Sequence, residues 1–394
     1  MEKQKVCIIG GGLTGLVTAI TLSRLNLEID LITGDNINKK VKSARTIALS
    51  QNNYDFLKKL KINNLLENFF WPCDNMKLYA GNENEKFDEI FEINRSKKEQ
   101  KQIFYMVKNS TLIKSLIKNI KKNKSINYQA QKKIYSIVNS GLLKSVKLKS
   151  KNNSKYNLII VCTGAISNLV KNTLKDQFLN QSYNEFAITT IIKHSSFKNN
   201  TARQIFSNSE ILALLPISKT KTSIVWSVKK NTMNKYENSS NFFLKKKIKF
   251  YTKNFLKKIQ FISNMEFKDL NFFIRKKYFH DRVLLFGDIL HQVHPLTGQG
   301  FNMVIRDLSA LEKILRNKIN LGLDIGSSDI LTEFSKEVRP RNFAYSLGID
   351  FIRNCFSIEN KSFNLIRNKI ITKLNKNNLA KDVFYNIANT GFKF

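Results

Sequence analysis

Residues 5–15 read KVCIIGGGLTG, an apolar run of strand length that ends in a cluster of glycines. Apolar residues at helical spacing follow over residues 13–25 and predict an α-helix. Residues 28–32 (EIDLI) predict a second short strand. Strand, glycine loop, helix and strand make a β-α-β unit, in which parallel strands and a right-handed connection are expected. The segment therefore predicts an α/β fold.

The glycine cluster itself matches the dinucleotide-binding pattern G-x-G-x-x-G. Gly10 would permit the tight turn, Gly12 would let the backbone approach a pyrophosphate, and Gly15 would let the helix pack against the strand. Leu13 and Thr14 begin the helix, whose free N–H groups and positive dipole end favour phosphates. The sequence therefore predicts a Rossmann-type nucleotide site, against the alternative of a glycine-rich turn that holds no ligand.

The end of the second strand is where such folds usually place an acidic residue for the adenosine ribose. Here Thr33 occupies that position, and Asp35 follows two residues later. Thr33 can make one hydrogen bond, whereas Asp35 would reach the ribose only if the loop bends back. Both are candidates for the ribose contact.

Glycine is otherwise scarce, and seven of the 15 glycines fall within residues 10–15 and 287–300. The second segment, 287–302, reads GDILHQVHPLTGQGFN and follows a predicted strand at 282–287. Asp288 at the end of that strand could bond a sugar or ribitol hydroxyl. Gly298 and Gly300, at the start of a predicted helix, could bring backbone N–H groups to an anion.

The rest of the chain predicts a second, sheet-rich part and a helical tail. Residues 157–162 predict another buried strand, and short alternating stretches between 183 and 275 predict an antiparallel sheet. We expect a discontinuous nucleotide domain at residues 1–75, 100–182 and 271–345. A mixed-sheet substrate domain is expected at 76–99 and 183–270, and a helical region at 346–394.

Segment 287–302 resembles a family motif, G-D-A-A-H-x-x-x-P-x-x-G-Q-G-x-N, and departs from it only at Ile289 and Leu290. This is the motif of the class A flavin monooxygenases, in the branch of the ubiquinone-biosynthesis hydroxylases. Residues 43–50 (SARTIALS) and 105–109 (YMVKN) resemble further motifs of that branch in the same order. The resemblance extends over nearly the whole chain, to about residue 310 most clearly.

The resemblance implies that the nucleotide is FAD, with its pyrophosphate at the first glycine loop. Arg45 would lie near the flavin or its phosphates, although a surface ion pair is the alternative for this residue. Asp288 would bind the ribitol chain. Pro295 and His294 are the candidate catalytic residues, and loop packing is an equal alternative for His294 and for His291. The isoalloxazine ring would be lined by Pro295, Gly298, Gln299, Gly300, Phe301 and Asn302.

The middle motif of the family, A-D-G-A-x-S-x-x-R, is altered in this chain. Thr163 replaces the acidic residue, and Lys171, one residue beyond the position of the arginine, is the basic residue taken as its replacement. Lysine keeps the charge but lacks the planar bidentate fork of arginine. We therefore expect poor direct reduction by NAD(P)H, and a separate reductase is the alternative electron donor.

The reaction implied by the resemblance is the transfer of one oxygen atom from O₂ to the ring of a prenylated phenol, a ubiquinone precursor. Two alternatives stay open: an FAD oxidoreductase that does not hydroxylate, such as a prenyl reductase, and a catalytically degenerate assembly subunit of a quinone-biosynthesis complex. No set of residues with the spacing of a Ser-His-Asp triad, a carboxylate pair or a metal site competes with these functions.

The formal net charge is +36, from 66 basic and 30 acidic residues. Three explanations of this positive charge stay open: compositional drift, binding to an anionic membrane surface, and binding to nucleic acid. Nucleic acid is the least favoured, because the basic residues are spread along the chain without a nucleic-acid-binding motif. No apolar run reaches the about 18 residues that span a bilayer. We expect a cytoplasmic protein that could lie on the inner face of the plasma membrane.

The hypothesis that the protein attaches to a membrane surface depends on residues 361–376 (KSFNLIRNKIITKLNK). They predict a basic amphipathic helix, which could lie in an anionic bilayer surface. The alternative is that its apolar stripe packs on the FAD domain. The stripe consists of Phe363, Ile366, Ile370 and Leu374. The polar face consists of Lys361, Arg367, Lys369, Lys373 and Lys376.

Overall fold

The structure is a computed structural model of the chain. It describes residues 3–34, 43–62, 69–81, 86–94, 102–132, 134–148, 154–164, 178–234 and 240–392. The strands are β1 Gln4–Ile9, β2 Leu27–Ile32, β3 Thr46–Ser50, β4 Trp71–Cys73, β5 Asn75–Gly81, β6 Phe87–Asn94, β7 Phe104–Lys108, β8 Ile126–Gln129, β9 Ile134–Ser140, β10 Leu143–Leu148, β11 Lys155–Tyr156, β12 Leu158–Val161, β13 Phe178–Lys193, β14 Thr201–Ser207, β15 Glu210–Ser218, β16 Lys221–Lys229, β17 Gln260–Phe261, β18 Glu266–Arg275, β19 Phe279–His280, β20 Val283–Leu285 and β21 His291–Gln292. The α-helices are α1 Leu13–Leu22, α2 Gln51–Lys59, α3 Asn109–Lys122, α4 Lys230–Asn234, α5 Ser240–Thr252, α6 Gly300–Asn320, α7 Ser328–Ser357, α8 Lys361–Asn375 and α9 Asn378–Thr390.

A six-stranded sheet in the order β19-β20-β12-β1-β2-β8 contains the predicted β-α-β unit. Its strands are parallel except for β19, which pairs with β20 in the antiparallel sense. Strands β1 and β12 are buried over VCII and LIIV, because parallel sheets are covered on both faces. The α/β fold predicted from residues 5–32 is confirmed.

Two predicted elements are shorter in the structure. Helix α1 ends at Leu22 rather than at residue 25, because the chain turns through residues 23–26 to enter β2. Strand β20 ends at Leu285 rather than at residue 287. Gly287 has a φ of +81°, which takes the chain out of the extended conformation and into a short 3₁₀ turn.

A nine-stranded sheet lies beside the first, with β13 paired to β16, β17 and β18. Its pairs are antiparallel except for β14 with β5, so the sheet is mixed. Strands β5 and β6 bring residues from the predicted 76–99 segment into the same sheet as β13 to β18. The mixed sheet that the sequence predicts is therefore formed by chain segments far apart in sequence.

Helices α7, α8 and α9 form most of the C-terminal tail, as the sequence predicts. Helix α7 is continuous from Ser328 to Ser357, so the expected boundary at residue 346 falls inside this helix. Among the described residues, no helix is both long and apolar enough to cross a membrane.

Candidate active site

The first glycine loop is shaped by contacts that exclude side chains at two of its three motif glycines. Gly10 has a φ of +134°, and a Cβ atom there would lie 2.6 Å from the carbonyl oxygen of Cys162. A Cβ at Gly15 would lie 1.9 Å from the carbonyl oxygen of Gly10. At Gly12 a Cβ would meet no atom within 4 Å. Gly10 and Gly15 thus allow the loop to close, and Gly12 faces open space at the start of α1.

The second glycine segment packs directly on the first. A Cβ at Gly287 would lie 2.4 Å from Cγ2 of Thr14, so the absence of a side chain allows the two loops to touch. Asp288 follows at the carboxyl end of β20, and its side chain is exposed. Parallel sheets bind ligands outside these carboxyl ends. Strands β1, β12 and β20 are neighbours, so their ends bring both glycine loops to one edge of the sheet.

The start of helix α6 has the same open backbone as the first loop. Gly298 has a φ of +60°, and a Cβ at Gly300 would meet no atom within 4 Å. Phe301 packs against the main core, as Leu13 does at the start of α1. Because Gly300 has no side chain, the N–H groups of the first turn of α6 face open space. Such a position suits an anion or a ring oxygen.

Asn302 is fully buried and holds β3, which forms most of the motif at residues 43–50 that contains Arg45, the arginine motif. Its Nδ2 donates to the carbonyl oxygen of Ala48 at 2.8 Å. Its Oδ1 accepts from the backbone N–H of Ser50 at 3.0 Å and from Nδ2 of Asn53 at 2.8 Å. Both ends of the side chain are therefore engaged by protein groups, and Nδ2 of Asn53 also donates to the Asn302 carbonyl at 3.2 Å.

The arginine-motif loop is held by Glu266 of β18, a residue that the sequence did not single out. The Glu266 carboxylate accepts from Ser43 Oγ at 3.1 Å and from the backbone N–H of Ala44. The Nε atom of Arg45 lies 3.9 Å from Oε2 of Glu266, with the Arg45 side chain about half exposed. The surface ion pair considered for Arg45 is thus present at long distance, and it leaves the guanidinium accessible.

Lys268 is a second residue without a local sequence signal. The pKa of its ammonium group is lowered, first because neighbouring protein atoms exclude water from it and second because Arg45 carries a positive charge. The negative charge of Asp288 acts in the opposite direction. Its side chain nevertheless remains solvent-accessible. Lys268 and Arg45 therefore interact electrostatically, and Asp288 adds a negative charge to the same part of the molecule.

Several buried polar atoms without a partner lie on residues of the predicted motifs, and others lie elsewhere in the fold. Within the described residues, Oγ1 of Thr46, Oδ1 of Asn109, Oγ1 of Thr163 and Oε1 of Gln299 are buried and make no hydrogen bond. Such atoms are rare in folded proteins and call for a partner. The Asn109 N–H donates to the Arg45 carbonyl at 2.9 Å, so the first two of these atoms lie beside the arginine motif. The residues present thus fit a large polar cofactor.

A family model described as "FAD binding domain" matches residues 3–343. The chain belongs to this FAD-binding family. Among curated proteins, it is 24% identical over 409 residues to "Ubiquinone biosynthesis monooxygenase COQ6, mitochondrial" of Caenorhabditis elegans, covering 89% of this chain and 87% of that protein. It is 20% identical over 373 residues to "Ubiquinone hydroxylase UbiM" of Neisseria meningitidis, covering 93% of this chain and 80% of that protein.

Solved structures share the fold, and one of them does so over the full length of the chain. The p-nitrophenol 4-monooxygenase PnpA from Pseudomonas putida DLL-E4 superposes with a TM-score of 0.79 at 14% identity, covering 100% of both chains. At this identity the likeness shows the fold alone. It confirms the predicted arrangement of an FAD-binding fold with a second sheet and a helical C-terminal region.

The structure describes only some of the residues that are predicted to contact the adenosine part of FAD. Thr33 is buried directly after β2, where its backbone N–H donates to the Gln129 carbonyl at 2.9 Å. Asp35 lies outside the described residues, as does Lys171 of the middle motif. The ribose contact and the role of Lys171 stay predictions.

The two histidines of the second glycine segment are buried and have acidic partners. Nε2 of His291 lies 3.3 Å from Oδ2 of Asp307. Nε2 of His294 lies 3.1 Å from Oε2 of Glu185, and burial lowers the pKa of His294 even though Glu185 acts in the opposite direction. Pro295 follows directly and begins a short 3₁₀ turn that ends at Thr297.

Proposed function

We propose that the protein is an FAD-dependent monooxygenase that hydroxylates the aromatic ring of a ubiquinone precursor. The observation that carries the proposal is the convergence of both glycine loops at one sheet edge, through the contact between Gly287 and Thr14. Two relatives that align over most of the chain, one named a ubiquinone biosynthesis monooxygenase and the other a ubiquinone hydroxylase, support the substrate class.

Bound FAD supplies the activation of O₂, and the protein supplies binding, orientation and charge. The open backbone at Gly12 and the first turn of α1 would receive the pyrophosphate. Asp288 would accept hydrogen bonds from the ribitol chain. The first turn of α6 would place N–H groups against the ring oxygens. Arg45 and Lys268 would favour the anionic form of a phenol, which is the form that is more reactive towards an electrophilic oxygen.

The function is tested with purified protein, FAD, a chemical or enzymatic reductant and a prenylated phenol. A hydroxylase yields a product that is heavier by one oxygen atom and consumes O₂ with the substrate. A prenyl reductase would instead yield a product heavier by two hydrogens. A protein that binds no FAD under any condition would support the alternative of an assembly subunit.

We further propose that the tail attaches the protein to an anionic membrane surface, where a prenylated phenol would reside. Helix α8 has an inner face that packs on the protein: Ile371 packs against buried residues of a core cluster, and Oδ1 of Asn375 accepts from the Glu92 N–H at 2.9 Å. Arg367 also belongs to this face, which corrects its predicted place on the polar face. It donates to the Cys355 carbonyl at 3.0 Å and covers the ring of Phe356.

The outer face of the tail is apolar and basic. Leu365, Ile366 and Ile370 of α8 are 64%, 58% and 55% exposed. In α9, Leu379 is 76% exposed. The expected alternative, in which the stripe packs on the FAD domain, is therefore wrong for Ile366 and Ile370. The exposed lysines of α8 and its end are Lys361, Lys369, Lys373 and Lys376.

Flotation with vesicles tests the attachment. The intact protein should bind vesicles that contain anionic phospholipid and release them as the salt concentration rises, because surface lysines contribute about 1 kcal/mol each. The triple variant Leu365→Ser, Ile366→Ser, Ile370→Ser should bind at least about 100-fold more weakly, if each side chain contributes about 1 kcal/mol or more.

A matched control replaces three exposed apolar residues elsewhere, Leu142, Phe242 and Leu321, by serine. This control should bind like the unaltered protein. Equal binding by both triple variants, or no binding of the intact protein at low salt, would refute the attachment.

A further inference from the structure

A buried group of charged and polar side chains joins the second glycine segment to β13 and α7. Glu185 of β13 is 2% exposed and lies at its centre. One carboxylate oxygen faces Nε2 of His294 at 3.1 Å, and the other accepts from Nη2 of Arg353 in α7. Beside them, the Tyr183 hydroxyl donates to Oδ1 of Asp350 at 2.7 Å. The group thus connects the substrate sheet, the turn before Pro295 and the C-terminal helices.

A β-bulge in β13 makes this arrangement possible. The register with β18 shifts between Ser182 and Glu185, and Asn184 has a φ of +54°, a conformation that asparagine tolerates better than most residues. Tyr183 and Glu185 are both buried, whereas Asn184 between them is exposed. A bulge of this kind re-aims side chains and is common beside functional sites.

Both ring nitrogens of His294 are engaged. Nδ1 accepts from the backbone N–H of Leu296 at 3.1 Å, so the proton of the neutral ring lies on Nε2 and is donated to Glu185. The Tyr183 ring packs edge-on against the imidazole, with centroids 5.3 Å apart. His294 could therefore exchange a proton with a bound substrate only by breaking one of these bonds. The geometry favours a positioning role over proton transfer.

Arg353 keeps Glu185 ionised. Burial alone would raise the pKa of the Glu185 carboxyl, but the hydrogen bond from His294 and the charge of Arg353 together hold it below its usual value. The Arg353 guanidinium also covers the Tyr183 ring, 4.6 Å from its centroid, and Nη1 donates to Asn354 at 2.8 Å. Within the part of the chain that the structure describes, Asp350 is the third charged group of this network, and its two oxygens accept from Asn354 and Tyr183.

We propose that Glu185 and Arg353 are positioning residues, which fix the FAD-facing turn at Pro295 by holding the imidazole of His294. The proposal rests on the monooxygenase function for its consequence in catalysis. Its immediate effect is on the surroundings of bound FAD, which can be measured without turnover. The turn is tied through Glu185 to α7, so displacing α7 would also move the turn.

The test follows the visible circular dichroism of bound FAD against pH in the holoprotein. Glu185 has a lowered pKa in the folded state, so its contribution is present above the ordinary carboxyl pKa and is lost as the pH falls through the folded value. In Arg353→Met, burial dominates and the pKa of Glu185 rises. The acid change of the flavin signal should then move upward by about one pH unit or more, the size of an opposite-charge effect.

Arg353→Lys, which keeps the charge, should restore the acid change towards its original pH. The control is Arg341→Met on the same helix, where the arginine forms a surface pair with Glu337 at 3.3 Å. A shift in Arg353→Met no larger than in this control would overturn the proposal, whatever the loss of thermal stability.

If Arg353→Met does not fold, the variant Glu185→Gln tests the positioning role of Glu185 instead. Glutamine keeps an acceptor for His294 and cannot titrate, so the acid change should disappear. An unchanged acid change in this variant refutes the role of Glu185. If the unaltered protein hydroxylates nothing while these flavin signals behave as expected, the proposed function fails and the positioning network stands.

Discussion

The glycine loop at residues 10–15 is shaped by backbone atoms that leave no room for side chains, whereas helices α8 and α9 are held by side-chain contacts with residues far away in the sequence. At Gly15 the nearest obstacle to a side chain is the carbonyl of Gly10, five residues earlier. The tail instead relies on contacts such as Ser50 Oγ to the Asn389 carbonyl at 3.1 Å. Ser50 also donates its N–H to Asn302, so the second glycine segment and the tail meet at one residue.

This difference explains what each region contributes. A loop whose shape depends on the absence of side chains can present its backbone N–H groups to a phosphate. The residues that give it this function are consecutive in the sequence. A helical tail that docks through scattered side chains leaves its outer face free for a second task.

Gly15→Val should have the largest effect, because the new Cβ would lie 1.9 Å from the Gly10 carbonyl oxygen inside a packed βα junction. Overpacking of this severity should cost about 3 kcal/mol or more of unfolding free energy. Urea unfolding measures the loss. The control is Gly348→Ala in α7, where a Cβ would meet no atom within 4 Å. A Gly15→Val protein as stable as the control would show that the loop does not close as described.

Gly12→Val should separate cofactor binding from folding, because its Cβ would point into open space. The side chain would fill the space assigned to the pyrophosphate, and a clash of about 3 kcal/mol corresponds to about 100-fold weaker FAD binding. Flavin fluorescence gives the dissociation constant, and urea unfolding of the apoprotein should be nearly unchanged. Full flavin content in the purified variant would contradict the assignment of the first loop.

Asn389→Ala should have the smallest effect, on the tail alone. Its Oδ1 accepts from the Asn52 N–H at 2.9 Å, and one such bond contributes about 0.5–1.5 kcal/mol. Limited proteolysis should then cut the tail faster. Asn386→Ala, at an exposed position of the same helix, is the matched control. Equal proteolysis rates for the two variants would show that the tail is held elsewhere.

The contrast also accounts for what the sequence could predict. Residues 5–32 and the helix that begins at Gly300 have local signals, namely apolar periodicity and glycine spacing, and both were confirmed. Glu185 and Glu266 have no local signal, because their partners lie more than 100 residues away, at His294 and at Ala44. Helical periodicity predicts Arg367 on the polar face. Periodicity carries no information on the contact between the Arg367 guanidinium and the Phe356 ring.

Isotope labelling with ¹⁸O₂ tests the central claim most directly. The FAD-loaded protein is given a reductant and a prenylated phenol in ordinary water, and the product is analysed by mass spectrometry. Our account predicts a ring-hydroxylated product that carries one ¹⁸O atom in its new hydroxyl group. A product without ¹⁸O, or a substrate that returns unchanged while O₂ is consumed, would contradict hydroxylation by this protein.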